Sequence, residues 1–420
     1  MEKIHSLTGM MDLISENGLE SNLANKIFDT EKELIKIFES YSLKEIRTPS
    51  LENEQLFNRS AGNSSDIVNK ELYTFKDKNE KSISLRPEGT AGVVRAIIEK
   101  KLDNDNHRFW YMGSMWRYER PQKGRYRQFY QAGVELLGFP EGLAELEMIS
   151  MIISINSRLE IKNPKIKINH LGDKNVKDSY CDALKDYLEP ISSKLDEKDF
   201  DRLNKNPMRV LDSKNPETQK ILKNAPKISD FISDDAKSLL NTIKKTYGED
   251  LIEIDSNLVR GLDYYTGFIF EAVSEDLGAQ DSYLGGGRYD QLFEDLGGKK
   301  LPAIGMAIGI ERIADITQKS QEKKTLISFI ILSDKIEQKA YKIAHDLRSR
   351  NNNLIIEVQL LDSSLKSKLR RANKDNASYA IILGKDEIES DKVLVKSLLD
   401  DNSDQRELDV SELEDFVSTL

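Results

Sequence analysis

Residues able to handle anions gather in four short segments of this chain. The first is Arg260-Gly261-Leu262-Asp263-Tyr264-Tyr265-Thr266-Gly267, followed by the apolar run Phe268-Ile269-Phe270-Glu271-Ala272-Val273. The run reads as a strand with Arg260 at its entrance. An arginine there is costly to bury unless an anion meets it. Adjacent strand residues point to opposite faces, so one of Tyr264 and Tyr265 serves the core while the other offers a hydroxyl to a ligand. The second segment runs from Arg117 to Phe129: Arg-Tyr-Glu-Arg-Pro-Gln-Lys-Gly-Arg-Tyr-Arg-Gln-Phe. Phe109 to Met112 precede it and Phe129 to Val134 follow, a pattern of two antiparallel strands joined by a basic loop. Even spacing gives Arg117 and Glu119 a shared strand face, as it does Gln131 and Glu135. A face of Arg, Glu, Gln and Glu is not a packing face.

The third segment, Leu85-Arg86-Pro87-Glu88-Gly89-Thr90, closes a hairpin (Leu72 to Phe75, then Ser82 to Leu85) and precedes a helix through Val93, Val94 and Ile97. Thr90 is a candidate helix N-cap. The fourth is Leu284-Gly285-Gly286-Gly287-Arg288-Tyr289-Asp290, with Ala303 to Arg312 beyond it. Glycine runs allow backbones to approach each other or a ligand. Arg312 falls at the start of a helix after a small, apolar strand.

The elements that must position these groups follow from periodicity. Residues 22–41 carry Leu23, Ile27, Leu34, Ile35 and Phe38 at helical spacing. Residues 171 to about 245 are lysine-rich and mostly helical, broken by Pro190, Pro207, Pro216 and Pro226, and read as an insertion between strands. The sheet resumes near Leu251. A charged linker, Gln318 to Lys324, separates residues 1–324 from a tail at 325–420. The tail alternates strand 326–332, helix 335–350, strand 354–358, helix 363–375, strands 379–383 and 392–397, and helix 411–418, which implies a small α/β domain with a mixed or parallel sheet.

Composition sets limits. A length of 420 residues suggests two to three domains. With no long apolar run and no signal-peptide core, neither a membrane span nor secretion is expected. One cysteine, Cys181, excludes an intramolecular disulfide and suggests a reducing compartment. Four histidines and one cysteine offer no metal-ligand spacing, so no protein metal site is expected. The net charge of −10 disfavours a protein that coats nucleic acid. Basic residues nevertheless cluster at Arg117 to Arg127 and at Lys366-Ser367-Lys368-Leu369-Arg370-Arg371, with acidic residues (Asp400, Asp401, Asp404, Glu407) elsewhere. That distribution suits selective binding of one RNA.

At these motifs the chain resembles the histidyl-tRNA synthetases, class II aminoacyl-tRNA synthetases. The run 117–125 is similar to that class's motif 2, Gly309-Ile310-Glu311-Arg312 to motif 3, and Arg47-Thr48-Pro49-Ser50-Leu51-Glu52 to motif 1. The strings at 260–265 and 285–290 are similar to the two signatures of the histidine enzymes. The resemblance implies an α/β fold: a class II antiparallel sheet flanked by helices, a helical insertion near the tRNA acceptor stem, and a C-terminal α/β anticodon-binding domain. It implies a cytoplasmic homodimer that binds ATP with Mg2+, L-histidine and tRNA(His). The homodimer would form through the strand and helix of motif 1.

The reaction the resemblance implies needs the histidine carboxylate to attack the α-phosphorus of ATP. Its barrier is mainly one of positioning anions and stabilising negative charge, which suits the arginine fork. By resemblance Arg117 holds the α-phosphate, Arg312 the γ-phosphate, and Arg260 lies between carboxylate and α-phosphate where related enzymes place a metal. These are the catalytic candidates. Glu119 reads the adenine amino group, Phe129 stacks on the ring, and Arg125 completes the ATP set. Glu88, Thr90 and Gln131 take the substrate ammonium; Glu135 and Tyr264 each bond one imidazole nitrogen; Tyr265 and Tyr289 close the pocket, with Gly89 keeping its wall low. Paired polar groups of this kind discriminate by roughly 10⁴–10⁵. Arg120, Gln122 and Arg127 meet the tRNA acceptor end, where an extra guanosine is read.

One departure is Gly9-Met10-Met11-Asp12-Leu13-Ile14-Ser15, which lacks the family's proline; it is expected to affect chain entry and not chemistry. The alternatives are a histidine-sensing regulatory paralogue without aminoacylation and a polymerase accessory subunit. The intact arginines argue against both, and the tail argues against the first.

Overall fold

The computed structural model describes residues 3–15, 21–60, 62, 65, 67–122, 124–278, 281–319, 324–332, 336–351, 354–399 and 405–420. Two compact units emerge, Met1–Lys319 and Ser320–Leu420. The described strands of the first are β1 (Lys44–Glu45), β2 (Leu51–Asn53), β3 (Thr74–Lys76), β4 (Ser82–Leu85), β5 (His107–Trp116), β6 (Gln128–Leu137), β7 (Lys165–His170), β8 (Ile252–Ile254), β9 (Phe268–Val273), β10 (Ser282–Arg288) and β11 (Ala303–Gly309). Among these, eight form one sheet in the order β1-β5-β6-β11-β10-β9-β7-β8. The pairs β1–β5 and β7–β8 are parallel and the remaining pairs antiparallel. β2, β4 and β3 make a small antiparallel sheet beside it.

Register divides the large sheet into two chemically distinct faces. Gln131 pairs with Gly309, Gly133 with Ala307 and Glu135 with Gly305; Ala307 and Gly305 in turn oppose Gly285 and Gly287. Gly285 opposes Glu271. One face therefore has a floor of glycine and alanine rimmed by Gln131, Glu135 and Glu271. The other face presents Val134, Leu136, Ile304, Met306, Ile308 and Phe270, all essentially buried. The helix Leu143–Arg158 covers that face with Met148, Ile149, Met151, Ile152 and Ile155, and the helices Ser21–Ser40 and Ile310–Ile316 pack beside it. Burying such side chains contributes roughly 1.5–3 kcal/mol each. This apolar layer fixes the sheet whose bare face is left for chemistry.

Between β7 and β8 the chain forms the helices Lys174–Leu188, Glu197–Lys205, Pro216–Leu222 and Asp234–Tyr247 with short 3₁₀ turns between them. Asp173, Asp196, Asn215 and Ser233 cap the four helices by accepting an amide hydrogen from the first turn. The expected helical insertion is therefore present as structure.

The second unit has strands β12 (Thr325–Ile331), β13 (Leu354–Val358), β14 (Tyr379–Leu383), β15 (Lys392–Ser397) and β16 (Gln405–Asp409) in the order β13-β12-β14-β15-β16. β12 pairs parallel with β13 and β14, and the rest are antiparallel, so the sheet is mixed. β16 was absent from the sequence reading. Its residues, Gln-Arg-Glu-Leu-Asp, are nearly all exposed and give no apolar alternation. Most of the linker (320–323) and Asp400, Asp401 and Asp404 lie outside the described residues. The basic run on the helix Leu365–Lys374 is not one solvated face: Lys368 is buried with its Nζ donating to the Ile331 carbonyl (2.7 Å), and Arg371 donates to Gln359 (2.9 Å). Lys366 and Arg370 are exposed.

Several local expectations are corrected. β5 ends at Trp116, so Arg117 and Glu119 are loop residues. The Glu119 amide bonds the Arg117 carbonyl (2.8 Å), which breaks the strand alternation. Residues 260–267 are irregular and β9 starts only at Phe268. Arg260 therefore does not stand at a strand start, and Tyr264 and Tyr265 do not point to opposite faces. Thr90 is the first residue of its helix, not the cap. The Glu88 carboxylate caps instead, accepting the amides of Thr90 (2.7 Å) and Ala91 (2.9 Å). Gly9, at φ +82°, is more than chain entry. Its carbonyl accepts the Arg127 amide (2.8 Å), so the N-terminal run braces the basic loop.

Candidate active site

A cavity of about 730 Å³ opens on the glycine face of the first unit. Glu88, Thr90, Arg117, Glu119, Arg125, Phe129, Gln131, Arg260, Tyr264, Tyr265 and Arg312 all line it. The four segments, far apart in sequence, are thus brought to one place by the central strands.

The glycines explain how. A side chain on Gly305 would overlap the Glu135 carboxylate, and one on Gly285 would overlap the Arg260 guanidinium. These positions are bare because functional side chains lie across them. Gly89 has a different cause: a side chain there would overlap the ring of Tyr111, so it serves packing and not a low pocket wall.

At the closed end Thr90 and Tyr264 lead from the cavity wall into a buried polar network; Glu135 and Tyr289 belong to that network and do not themselves line the cavity. Glu135 is fully buried. Its Oε1 accepts the Thr90 hydroxyl (2.7 Å) and its Oε2 the Tyr289 hydroxyl. Burial pushes the Glu135 carboxyl up to about 8, against the lowering effect of those two hydroxyls. Burial likewise raises Glu88. The Tyr264 ring packs on Tyr265 and Tyr289, with centroids 4.6 and 5.8 Å apart. Gln131 Oε1 is buried without a protein partner, which leaves an acceptor for a ligand donor.

The open end is cationic. Arg117 Nε donates to the Pro87 carbonyl (3.0 Å), and its guanidinium sits 5.3 Å from the Phe129 ring centroid. Arg312, three residues into its helix, donates to the carbonyls of Gly124 (3.0 Å) and Ser282 (2.8 Å). Glu311 beside it accepts the Tyr130 amide (2.8 Å) and so ties that helix to β6. Burial holds the Arg312 guanidinium below its ordinary range, and repulsion from Arg125 and Arg117 adds to this. Convergent cations of this kind suit an anion. Arg125 pairs with Glu119 at 3.2 Å. Arg260 lies between the two ends. Its Nη1 bonds Glu271 at 2.7 Å, while its Nε is buried without a protein partner.

Arg120, Gln122 and Arg127 do not line the cavity. Arg120 and Gln122 are exposed on the loop, and Arg127 turns back to stack on Tyr118 (4.1 Å) and to bond the Glu119 carbonyl (3.2 Å). Among the contributors missed are four, one on β9 and three in the insertion. Glu271 is the one charge in Phe-Ile-Phe-Glu-Ala-Val, a signal the sequence did offer. Arg202, Asp212 and Lys214 of the insertion also line the cavity, and nothing local in the sequence links them to β9 or β10.

The sequence profile described as histidyl-tRNA synthetase matches residues 18–313, and one described as anticodon binding domain matches residues 326–420. The chain belongs to the histidyl-tRNA synthetase family. A histidine–tRNA ligase of Francisella philomiragia is similar to it at 39% identity over 100% of both chains. One from Francisella tularensis subsp. holarctica is 42% identical over 92% of this chain and 94% of its own. Among solved structures, the apo histidyl-tRNA synthetase of S. aureus matches with TM-score 0.77 and 31% identity over 99% of each chain. An ATP phosphoribosyltransferase regulatory subunit/histidyl-tRNA synthetase from Bacillus halodurans is similar in fold alone, with TM-score 0.65 and 19% identity over 91% of this chain and 99% of its own. With full-length relatives that are ligases, the family's aminoacyl-tRNA ligase activity is the reading that stands, ahead of the regulatory one. Among the described residues, no helix is long and apolar enough to cross a membrane.

Proposed function

We propose that this chain activates L-histidine with ATP and transfers it to the 3′ end of tRNA(His), using residues of the cavity and of its surroundings in the following roles. A histidine carboxylate oxygen attacks the α-phosphorus, the bond to the β-phosphate oxygen breaks, and pyrophosphate leaves. No protein nucleophile is needed; the barrier falls by alignment and charge stabilisation. Arg117 and Arg260 hold the α-phosphate and carboxylate, and Arg312 with Arg125 holds the outer phosphates. Phe129 and Glu119 receive the adenine. Gln131, Glu88 and Thr90 take the ammonium, while Glu135, Tyr264, Tyr265 and Tyr289 surround the imidazole, with Gly89 behind them. Mg2+ enters as part of the nucleotide substrate, on its phosphates, and shields their charge. In the second step a ribose hydroxyl of the tRNA attacks the adenylate carbonyl and AMP leaves, with Arg120, Gln122 and Arg127 near the acceptor strand. The enzyme works as a cytoplasmic homodimer, and residues 1–324 form the catalytic domain.

The observation that supports this reading most is the meeting of Arg117, Arg260 and Arg312 in one cavity with Thr90 and Tyr264, of which Thr90 bonds the buried Glu135 and Tyr264 packs on Tyr289. Histidine-dependent exchange of pyrophosphate into ATP, followed by charging of tRNA(His), tests it; absence of exchange would overturn it. Residues 325–420 are assigned to the anticodon. Their removal is expected to spare exchange and cripple charging, because each unit has its own apolar core. Unchanged charging by the truncated protein would remove that assignment.

A further inference from the structure

The loop 260–266 carries Arg260, Tyr264 and Tyr265, yet it has no regular structure to hold its shape. Its carbonyls and its one carboxylate are held from the helical insertion. Lys177 Nζ, on the helix Lys174–Leu188, donates to the Tyr265 carbonyl (2.9 Å) and the Asp263 carbonyl (3.4 Å). Arg209 Nη2 donates to the Gly261 carbonyl (2.7 Å) and to Asp263 Oδ1 (3.4 Å). Asn206 Nδ2 reaches the same Oδ1 (3.3 Å), while its own Oδ1 accepts the Met208 amide (3.1 Å), which fixes the amide orientation. Burial lowers the Lys177 ammonium from its ordinary value, with Asp263 acting against that. Three side chains from two parts of the insertion therefore converge on three residues of the loop, Gly261, Asp263 and Tyr265. The same insertion supplies Arg202, Asp212 and Lys214 to the cavity wall.

We infer that the insertion belongs to the histidine-activation machinery: through Lys177, Asn206 and Arg209 it holds the 260–266 loop in the shape that presents Arg260, Tyr264 and Tyr265 to the amino acid. This goes beyond a contact with the acceptor stem, because the clamp's bonds run to the loop that carries Arg260, Tyr264 and Tyr265. These are positioning residues. The nucleotide-side groups Arg117 and Arg312 are held by the Pro87, Gly124 and Ser282 carbonyls, which the clamp does not touch. The inference rests on the ligase reading.

Pyrophosphate exchange without tRNA tests it on the full chain, with wild type, Arg209→Gln, Lys177→Met and Arg209→Lys. Small misplacements of reacting groups cost up to about 10²-fold. Arg209→Gln and Lys177→Met are each expected to lower kcat/KM for histidine by about 10- to 10²-fold while KM for ATP stays within about twofold. Arg209→Lys, which keeps a cationic donor, should recover much of the loss. Unchanged histidine parameters in folded variants would overturn the clamp, as would equal losses for histidine and ATP. If Arg209→Gln does not fold, Asn206→Asp, which keeps the acceptor of the Met208 amide and removes the donor to Asp263, is judged by the same split. A wild type without histidine-dependent exchange would sink the ligase reading and the clamp with it; an active wild type with unaffected variants sinks the clamp alone.

Discussion

At the closed end of the cavity Glu135 is fully buried with both oxygens bonded by Thr90 and Tyr289, whereas at the open end Arg117 and Arg312 are half-buried and lean on backbone carbonyls. The two ends solve different problems. A closed network of paired polar groups penalises any ligand that cannot replace its bonds, which gives selectivity. Cations held by carbonyls keep their charge available to an anion, which gives affinity for phosphates and stabilises charge in the transition state. Arg260 sits where the two meet, with one guanidinium nitrogen on Glu271 and Nε buried without a protein partner.

The sharpest way to break this comparison is to remove the group at its centre. Arg260→Ala is expected to lower the exchange rate by about 10²–10³ or more while the protein stays folded. Its guanidinium lies over the bare Gly285, so truncation leaves space and not a clash. Near-normal exchange would show that the two ends cooperate without it.

Next in size is Glu135→Ala. A lost hydrogen bond that leaves a buried donor unpaired costs about 1–3 kcal/mol. The cost should appear in KM for histidine and hardly in KM for ATP, since the arginines of the open end come from other elements. Comparable rises in both constants would mean that the ends are one cooperative unit. An unchanged histidine KM would move the imidazole contact to another residue.

Much of this site was legible in the sequence because its signals are violations of local rules. Arginines and tyrosines crowd the segments beside apolar strands, while Gln131 and Glu135 interrupt one such strand and share a face by period two alone. The long strands β5 and β6 were legible for the same reason. What escaped was decided by distant contacts. The glycine run at 285–287 reads only as a place of close approach, and nothing local marks Gly305; Gly285 and Gly305 are bare because Arg260 and Glu135 cross them. The 260–267 segment reads as a strand entrance, but its shape comes from Lys177 and Arg209, more than fifty residues earlier in the chain. Thr90 has the composition of an N-cap and lost that role to Glu88, because Glu135 takes its hydroxyl. Gly9 shows the same limit at the N-terminus: only the fold brings it against Arg127.

The smallest expected effect separates the two ends by pH. Burial raises the Glu135 carboxyl to about 8 in the folded protein, while an exposed glutamate titrates near its ordinary value of 4.5. Between those values the folded chain binds more protons at this site than the unfolded chain. Stability must therefore fall as pH rises through the window and level off above it. Glu135→Gln keeps the shape and removes the titration. In thermal melts without ligand from pH 5 to pH 9, wild type should lose stability relative to the glutamine variant as pH climbs toward 8, by a few degrees. The arginines of the open end stay charged throughout this range and so add no titration of their own to it. A pH-independent gap for Glu135→Gln would mean that Thr90 and Tyr289 hold the carboxylate ionised, and the closed end would then be a charged site like the open one.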